Sequence, residues 1–224
     1  MSEQGQTTVI IRVEPDEAQK GRYTIHFEQA APLNVHEDVM IKYRLLKGAE
    51  VSLDFMEEIV RADEKTRAYV QALKYLQRKP RTSTEIARNL IQKGYDEEII
   101  QIVVQQLERE WLVDDGAYAE QWTEQRVTRH LKGRRWVQHE LKQKGVHERH
   151  IANAMASLDP EQELESALHA ARKKWRQTSG ETHLRRQKVA AYLARRGFPT
   201  DMARKAAYEA SQHMEIVDDE SSDE

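Results

Sequence analysis

The chain has 224 residues, 33% of them charged and 39% hydrophobic, with a formal net charge of −3 and no cysteine. Without cysteine, disulfides and thiolate metal sites are excluded and a reducing compartment fits best. No apolar run approaches the roughly twenty residues that span a bilayer, and the opening "MSEQGQTTVI" has neither a basic n-region nor an apolar stretch, so a cytoplasmic protein without a membrane partner is expected.

The first elements are β-like. "TTVIIRVE" (7–14) is rich in β-branched residues, and "RYTIHFE" (22–28) alternates Tyr23, Ile25 and Phe27 against Thr24, His26 and Glu28, the pattern of a half-buried strand. The turn-rich "PDEAQKG" between them predicts a hairpin. After Pro32 a short strand is expected to lead into a helix, with Gly48 as its left-handed terminator and Ser52 as the N-cap of the next helix. Residues 1–62 thus read as a small α+β module. Its 11 acidic against 7 basic residues argue that Tyr23 and Phe27 build a hairpin core rather than a base-stacking platform.

From Asp63 to about Gln212 the periodicity is helical, and three glycines, Gly94, Gly145 and Gly197, bring the rest into register at spacings of 51 and 52 residues. Four residues before each stands Leu90, Leu141 or Leu193, and eight before stands Ile86, Val137 or Val189. Six after come Ile100, Ile151 and Ala203, and thirteen after come Leu107, Leu158 and Ala210. Positions −8 and −4 share one helix face, the glycine ends that helix in the left-handed conformation, and a following helix packs its own stripe against it. Lys93, Lys144 and Arg196 precede the glycines, where a cation suits the helix's negative end. Thr82 and Glu85 have the spacing of a capping box. Upstream helices at Tyr69–Leu76, Ala119–Leu131 and Leu164–Trp175 complete each unit, and the third copy has a longer link, "RQTSGETH". The expected fold is mainly α: three tandem three-helix repeats (63–114, 115–159, 160–214) in an elongated curved array, preceded by the α+β module and followed by an acidic tail (215–224).

Charge is unevenly spread: net −4 over 1–62, zero over 63–114, +2 over 115–159, +5 over 160–214, and six acids with no base over 215–224. Such asymmetry signals a partner more than a fold. The densest basic stretch, "RVTRHLKGRR", holds Arg126, Arg129, Lys132, Arg134 and Arg135, and third-repeat counterparts are "RKKWR" (172–176), Arg185, Arg186, Lys188, Arg195 and Arg196. The first five, with Lys144, Arg185, Arg186, Lys188, Arg195 and Arg196, are the candidate DNA- or filament-binding residues, able to track a phosphate backbone. The bland alternative is a solvated surface with ion pairs along each helix. Reversing Arg134 with Arg135, or Arg185 with Arg186, is expected to leave folding intact, and the acidic tail to compete for the basic face. "HERH" (147–150) offers two histidines but no third ligand, so no metal is expected. Trp111, Tyr118 and Trp122 read as core between the first two repeats. No nucleophile–base set, phosphate loop or paired-acid motif is present. The chain therefore reads as an interaction protein without cofactor, not an enzyme, and as a monomer.

"RKPRTSTEIARNLIQKGY" (78–95), "WLVDDGAYAEQW" (111–122), "RVTRHLKGRRWVQHELKQKGV" (126–146) and "VAAYLARRGF" (189–198) resemble the RecX family, regulators of the bacterial recombinase RecA. The resemblance covers about 150 residues. It implies three tandem three-helix repeats and a protein that lies along the RecA–DNA filament. It further implies inhibition of ATP hydrolysis, which RecA itself performs, and of strand exchange, in recombinational DNA repair and the SOS response. A second reading is a helix-turn-helix DNA-binding protein acting without RecA. Against it, the helix that would enter the groove in the first repeat opens with Asp96, Glu97 and Glu98.

Overall fold

The computed structural model describes residues 7–220, with side chains described as far as Gln212. The acidic side chains of 215–224 therefore lie outside the described residues. Contacts divide the chain into two units, one of residues up to 80 with 86–112, the other of residues 81–85 with 113 onward.

In the first unit, β1 (Thr7–Pro15), β2 (Arg22–Phe27) and β3 (Leu33–His36) precede a short helix, α1 (Glu37–Lys42), and a last strand, β4 (Glu50–Ser52). All pairings are antiparallel and the strand order is β3-β2-β1-β4. The expected hairpin joins β1 to β2, with Val13 opposite Ile25 and a register shift between Ile10 and Arg12. Asp16 Oδ1 accepts from the Ala18 and Gln19 amides in its turn. Ile10, Ile25, Phe27, Val35, Val39, Leu45, Val51 and Ile59 form the core, with Tyr23 packed against it. The left-handed residue that ends α1 is Arg44 (φ 51°), whereas Gly48, also left-handed at φ 89°, comes four residues later. Gly48 lies in the turn to β4 and donates its amide to Ile10 O at 2.8 Å.

Ser52 caps α2 (Leu53–Leu76), accepting from Phe55 N. This helix runs 24 residues, because no glycine or proline interrupts "LDFMEEIVRADEKTRAYVQALKYL". Buried Asp63 ties it to the sheet by accepting from Arg22 Nη2 at 2.8 Å and His36 N at 2.7 Å. Two further helices, α3 (Ser83–Gln92) and α4 (Glu97–Arg109), bury Ile86, Leu90, Ile100 and Leu107 as the repeat pattern requires. Trp111 departs from expectation. It is 83% exposed, outside any core, and occupies the left-handed region at φ 57°. It ends α4 in the conformation that Gly94, Gly145 and Gly197 take at the ends of the repeats' second helices, and a bulky residue there costs about 1–2 kcal/mol.

The second unit holds α5 (Asp115–Thr128), α6 (Arg134–Gln143), α7 (Glu148–Ala156), α8 (Pro160–Arg176), α9 (Thr182–Arg195) and α10 (Thr200–Glu220). Helix α5 stops short of Leu131, which itself adopts φ 51°. Val137, Leu141, Ile151 and Leu158 centre the core of α5–α7, with the stacked Tyr118 and Trp122 rings (5.6 Å) against it. Helices α8–α10 pack around Trp175 and Phe198 with seven buried alanines: Ala167, Ala170, Ala171, Ala203, Ala206, Ala207 and Ala210. Side chains this small let the helices approach closely.

Candidate nucleic-acid and filament interface

The repeat glycines do more than end helices. Gly145 and Gly197 have φ of 77° and 89°, and each also packs directly on the start of the preceding repeat's second helix. A Cβ on Gly197 would come 2.3 Å from Trp136 N, and one on Gly133 would come 2.3 Å from Phe198 N. In the second unit, Arg196 O and Gly197 O accept from the amides of Gly133 (2.9 Å) and Arg135 (3.1 Å). One junction earlier, Lys144 O and Gly145 O accept from the hydroxyls of Thr82 (2.8 Å) and Thr84 (2.9 Å). Thr82 and Gly133 are equivalent positions, twelve before their glycines, and so are Thr84 and Arg135. The acceptors are the same at both junctions and only the donors change. Thr82 and Glu85 complete the predicted capping box reciprocally.

An acid from the following repeat closes each joint. Asp115 accepts from Ser83 N (2.8 Å) and Ser83 Oγ (2.6 Å). Glu163 accepts from Arg134 N (2.8 Å) and Arg134 Nε (2.7 Å) at the equivalent place. Carboxylates here meet the unpaired amides and positive end of a helix. The paired aspartates of "WLVDDGAYA" thus divide the work: Asp114 caps α5 and Asp115 holds Ser83.

These joints use much of the predicted cationic set. Arg134 is paired to Glu163, whose side chain is fully buried. Arg196 reaches back to Leu131 O (2.8 Å) and His130 O, and Lys144 reaches Glu85 Oε1 (3.1 Å). Both therefore serve the preceding repeat, beyond the helix-end role expected of them. Burial alone would lower the Lys144 ammonium, but Tyr118 and Glu85 outweigh it and hold it above the ordinary lysine value. Arg126 pairs with Glu140 at 2.9 Å and lies 4.0 Å over the Trp122 ring. Glu140 also accepts from the indoles of Trp122 (2.9 Å) and Trp136 (3.0 Å). Burial pushes its carboxyl up, yet those bonds and the Arg126 charge prevail and keep it below the ordinary value. Lys132 sits 3.4 Å over Trp136, its ammonium lowered by burial and by Arg196. Arg185 lies over Trp175 and donates to its carbonyl at 3.1 Å. Arg186 donates to Ser211 Oγ at 2.7 Å and lies over Tyr208.

Four of the predicted cations remain: Arg129, Arg135, Lys188 and Arg195 are exposed and have no carboxylate partner among the described residues. The expectation that Arg134 is a plain surface charge is therefore corrected. Its neighbour Arg135 is one, and Arg185 and Arg186 are half-buried and bonded. In "HERH", His147 is the N-cap of α7, accepting from Arg149 N at 3.2 Å. Among the described residues no group of three His, Asp or Glu side chains has the arrangement of a metal site, and no helix is long and apolar enough to cross a membrane.

Successive three-helix repeats, with cations left exposed on the second and third copies, define a helical-repeat protein. Family models match the first, second and third three-helix domains of RecX at residues 68–107, 114–155 and 161–206. The chain is 33% identical over 184 residues to the regulatory protein RecX of Limosilactobacillus reuteri (strain DSM 20016), covering 82% of this chain and 70% of that one. It is 34% identical over 186 residues to that of Geobacillus kaustophilus, covering 82% and 68%. A crystal structure of a regulatory protein RecX superposes with a TM-score of 0.74 at 31% identity over 87% of this chain and 96% of that one. The RecX of Lactobacillus salivarius shares the fold at 23% identity, with a TM-score of 0.63 over 67% and 99% of the two chains. The chain belongs to the RecX family of regulatory proteins, which are not enzymes.

Proposed function

We propose that this protein binds the RecA–DNA filament and slows RecA's ATP hydrolysis and strand exchange. The observation that carries the reading is the three-domain RecX match together with four exposed cations, free of carboxylate partners among the described residues, on its second and third repeats. On this reading Arg129, Arg135, Lys188 and Arg195 meet DNA phosphates, while Arg126, Lys132, Arg134, Lys144, Arg185, Arg186 and Arg196 hold the surface that presents them. Phosphate contacts position a protein without reading sequence, which suits a partner that must ride any DNA. The helix-turn-helix reading has no comparable support, because the first turn of α4 is acidic at Glu97 and Glu98.

The deciding experiment is DNA-dependent ATP turnover by a cognate RecA with increasing amounts of this protein. Turnover is expected to fall at near-equal or lower ratios, and unchanged RecA kinetics at saturation refute the proposal. Reversing Arg129 with Arg135, or Lys188 with Arg195, should weaken filament binding. Every phosphate left without its cation should also flatten the log–log salt dependence, by roughly 0.9 on duplex or 0.7 on single-stranded DNA. Reversal at Arg134 cannot serve as this test, since it would set a carboxylate against buried Glu163.

A further inference from the structure

The third repeat's longer link does not merely connect α8 to α9. With the two helices it encloses an open cavity of about 460 Å³ lined by Lys174, Gln177, Thr178, Ser179, Lys188, Ala191 and Arg195. Three cationic residues, two hydroxyl-bearing ones and a glutamine line one space, and its lining residues include no carboxylate. Lys188, Ala191 and Arg195 recur at helical spacing on one face of α9, and alanine between two long cations leaves the room. Lys174 is half-buried with its ammonium 5.5 Å from the Tyr192 ring, so its position is held. The C-terminal end of α8, which would repel an anion, is already satisfied. The Gln177 amide and Thr178 hydroxyl donate to Lys174 O, and the Thr178 amide and Arg185 donate to Trp175 O. The Ser179 hydroxyl and the Gln177 side-chain amide have no partner among these bonds and are donors at the cavity.

We propose that this cavity is a phosphoryl-binding site, taking a polyanion with at least two adjacent phosphate groups. Charge-assisted bonds from two ammonium groups and a guanidinium suit phosphate oxygens, and the volume falls within the range of ligand sites, about 300–1,000 Å³. The phosphates come either from a nucleic-acid strand or from a free polyphosphate. Only the first source rests on the filament reading, and the site is tested without RecA.

The test is titration of the ¹⁵N-labelled full chain with tripolyphosphate at low salt, with sulfate at matched ionic strength as control. Saturable shifts are expected at the amides of residues 177–180 and 188–195. Binding should weaken at least tenfold in Lys188→Ala with Arg195→Ala. It should also weaken in Ala191→Leu, which sets a branched side chain between Lys188 and Arg195 without changing charge. An equal response to sulfate, shifts spread evenly over Arg129 and Arg135, or full binding by Ala191→Leu would overturn the proposal by making the attraction a diffuse one. A short oligothymidylate is then added to the saturated sample. Displacement of tripolyphosphate identifies nucleic acid as the source, and retention identifies a free phosphoryl ligand.

Discussion

Replacing Arg134 with alanine removes the side chain that faces a fully buried carboxylate, that of Glu163. Stripping one partner from a buried ion pair costs about 3–5 kcal/mol, because the remaining charge keeps its desolvation penalty. Two features of this pair reduce that figure. The Arg134 side chain is 33% exposed, so water reaches part of the vacated space. The Arg134 amide still donates to Glu163 Oε1 at 2.8 Å, which any residue but proline preserves. A loss of about 2–3 kcal/mol remains. At roughly 3–5 °C per kcal/mol for a unit of a little over a hundred residues, Tm falls by roughly 6–15 °C. The adjacent Arg135→Ala is the control, since its exposed side chain has no carboxylate partner among the described residues and should change stability by less than about 0.5 kcal/mol. Calorimetry of the three proteins, with Glu163→Gln and the double variant Arg134→Ala/Glu163→Gln completing a cycle, reads the coupling directly. If Arg134→Ala melts with Arg135→Ala, or costs as much in the Glu163→Gln background as beside the carboxylate, the reasoning fails.

Gly197→Ala places a Cβ 2.3 Å from Trp136 N and should cost more than about 3 kcal/mol by urea unfolding, whereas Gly94→Ala, with nothing within 4 Å of its Cβ, should cost only the left-handed strain of about 1–2 kcal/mol. Trp111→Gly removes a strained, exposed side chain and should raise stability by about 1 kcal/mol while deleting a red-shifted component of tryptophan fluorescence. Glu140 titrates below its unfolded value, so its ties stabilise the fold above about pH 4.3 and are lost as pH falls through the lowered value. Glu140→Gln should therefore lessen the acid sensitivity of Tm below that pH, and an unchanged acid limb would show that the carboxylate is not linked to folding.

The apolar skeleton was legible in the sequence because it is periodic. Ile86, Val137, Val189, Leu90, Leu141 and Leu193 are all fully buried, and each was placed by its distance from a glycine alone. Backbone strain was not legible where the rule that reads it fails: Arg44, Trp111 and Leu131 take the conformation that glycine usually marks. The cationic surface was half legible. A basic run looks the same whether its members are free or bonded, and the partners of Arg134 and Arg196 lie 29 and 65 residues away. Nothing local announces such a pair. Arg134 and Arg135 are neighbours in one first turn, yet only the geometry separates a structural tie from a free charge.

The joint at Gly145 and Gly197 has a bearing on how such a chain grew. Its acceptors are two consecutive main-chain carbonyls, and its donors are interchangeable, hydroxyls at Thr82 and Thr84 in one copy and amides at Gly133 and Arg135 in the other. The acceptor half of this connector is written in the main chain, so it does not depend on which side chains the accepting repeat carries. A duplicated unit therefore carries the accepting half of its coupling as soon as it retains the glycine, and its outward residues can diverge around it. The third copy illustrates that latitude: it keeps the socket at Arg196 and Gly197 while its α8–α9 link has lengthened and turned polar around Ser179.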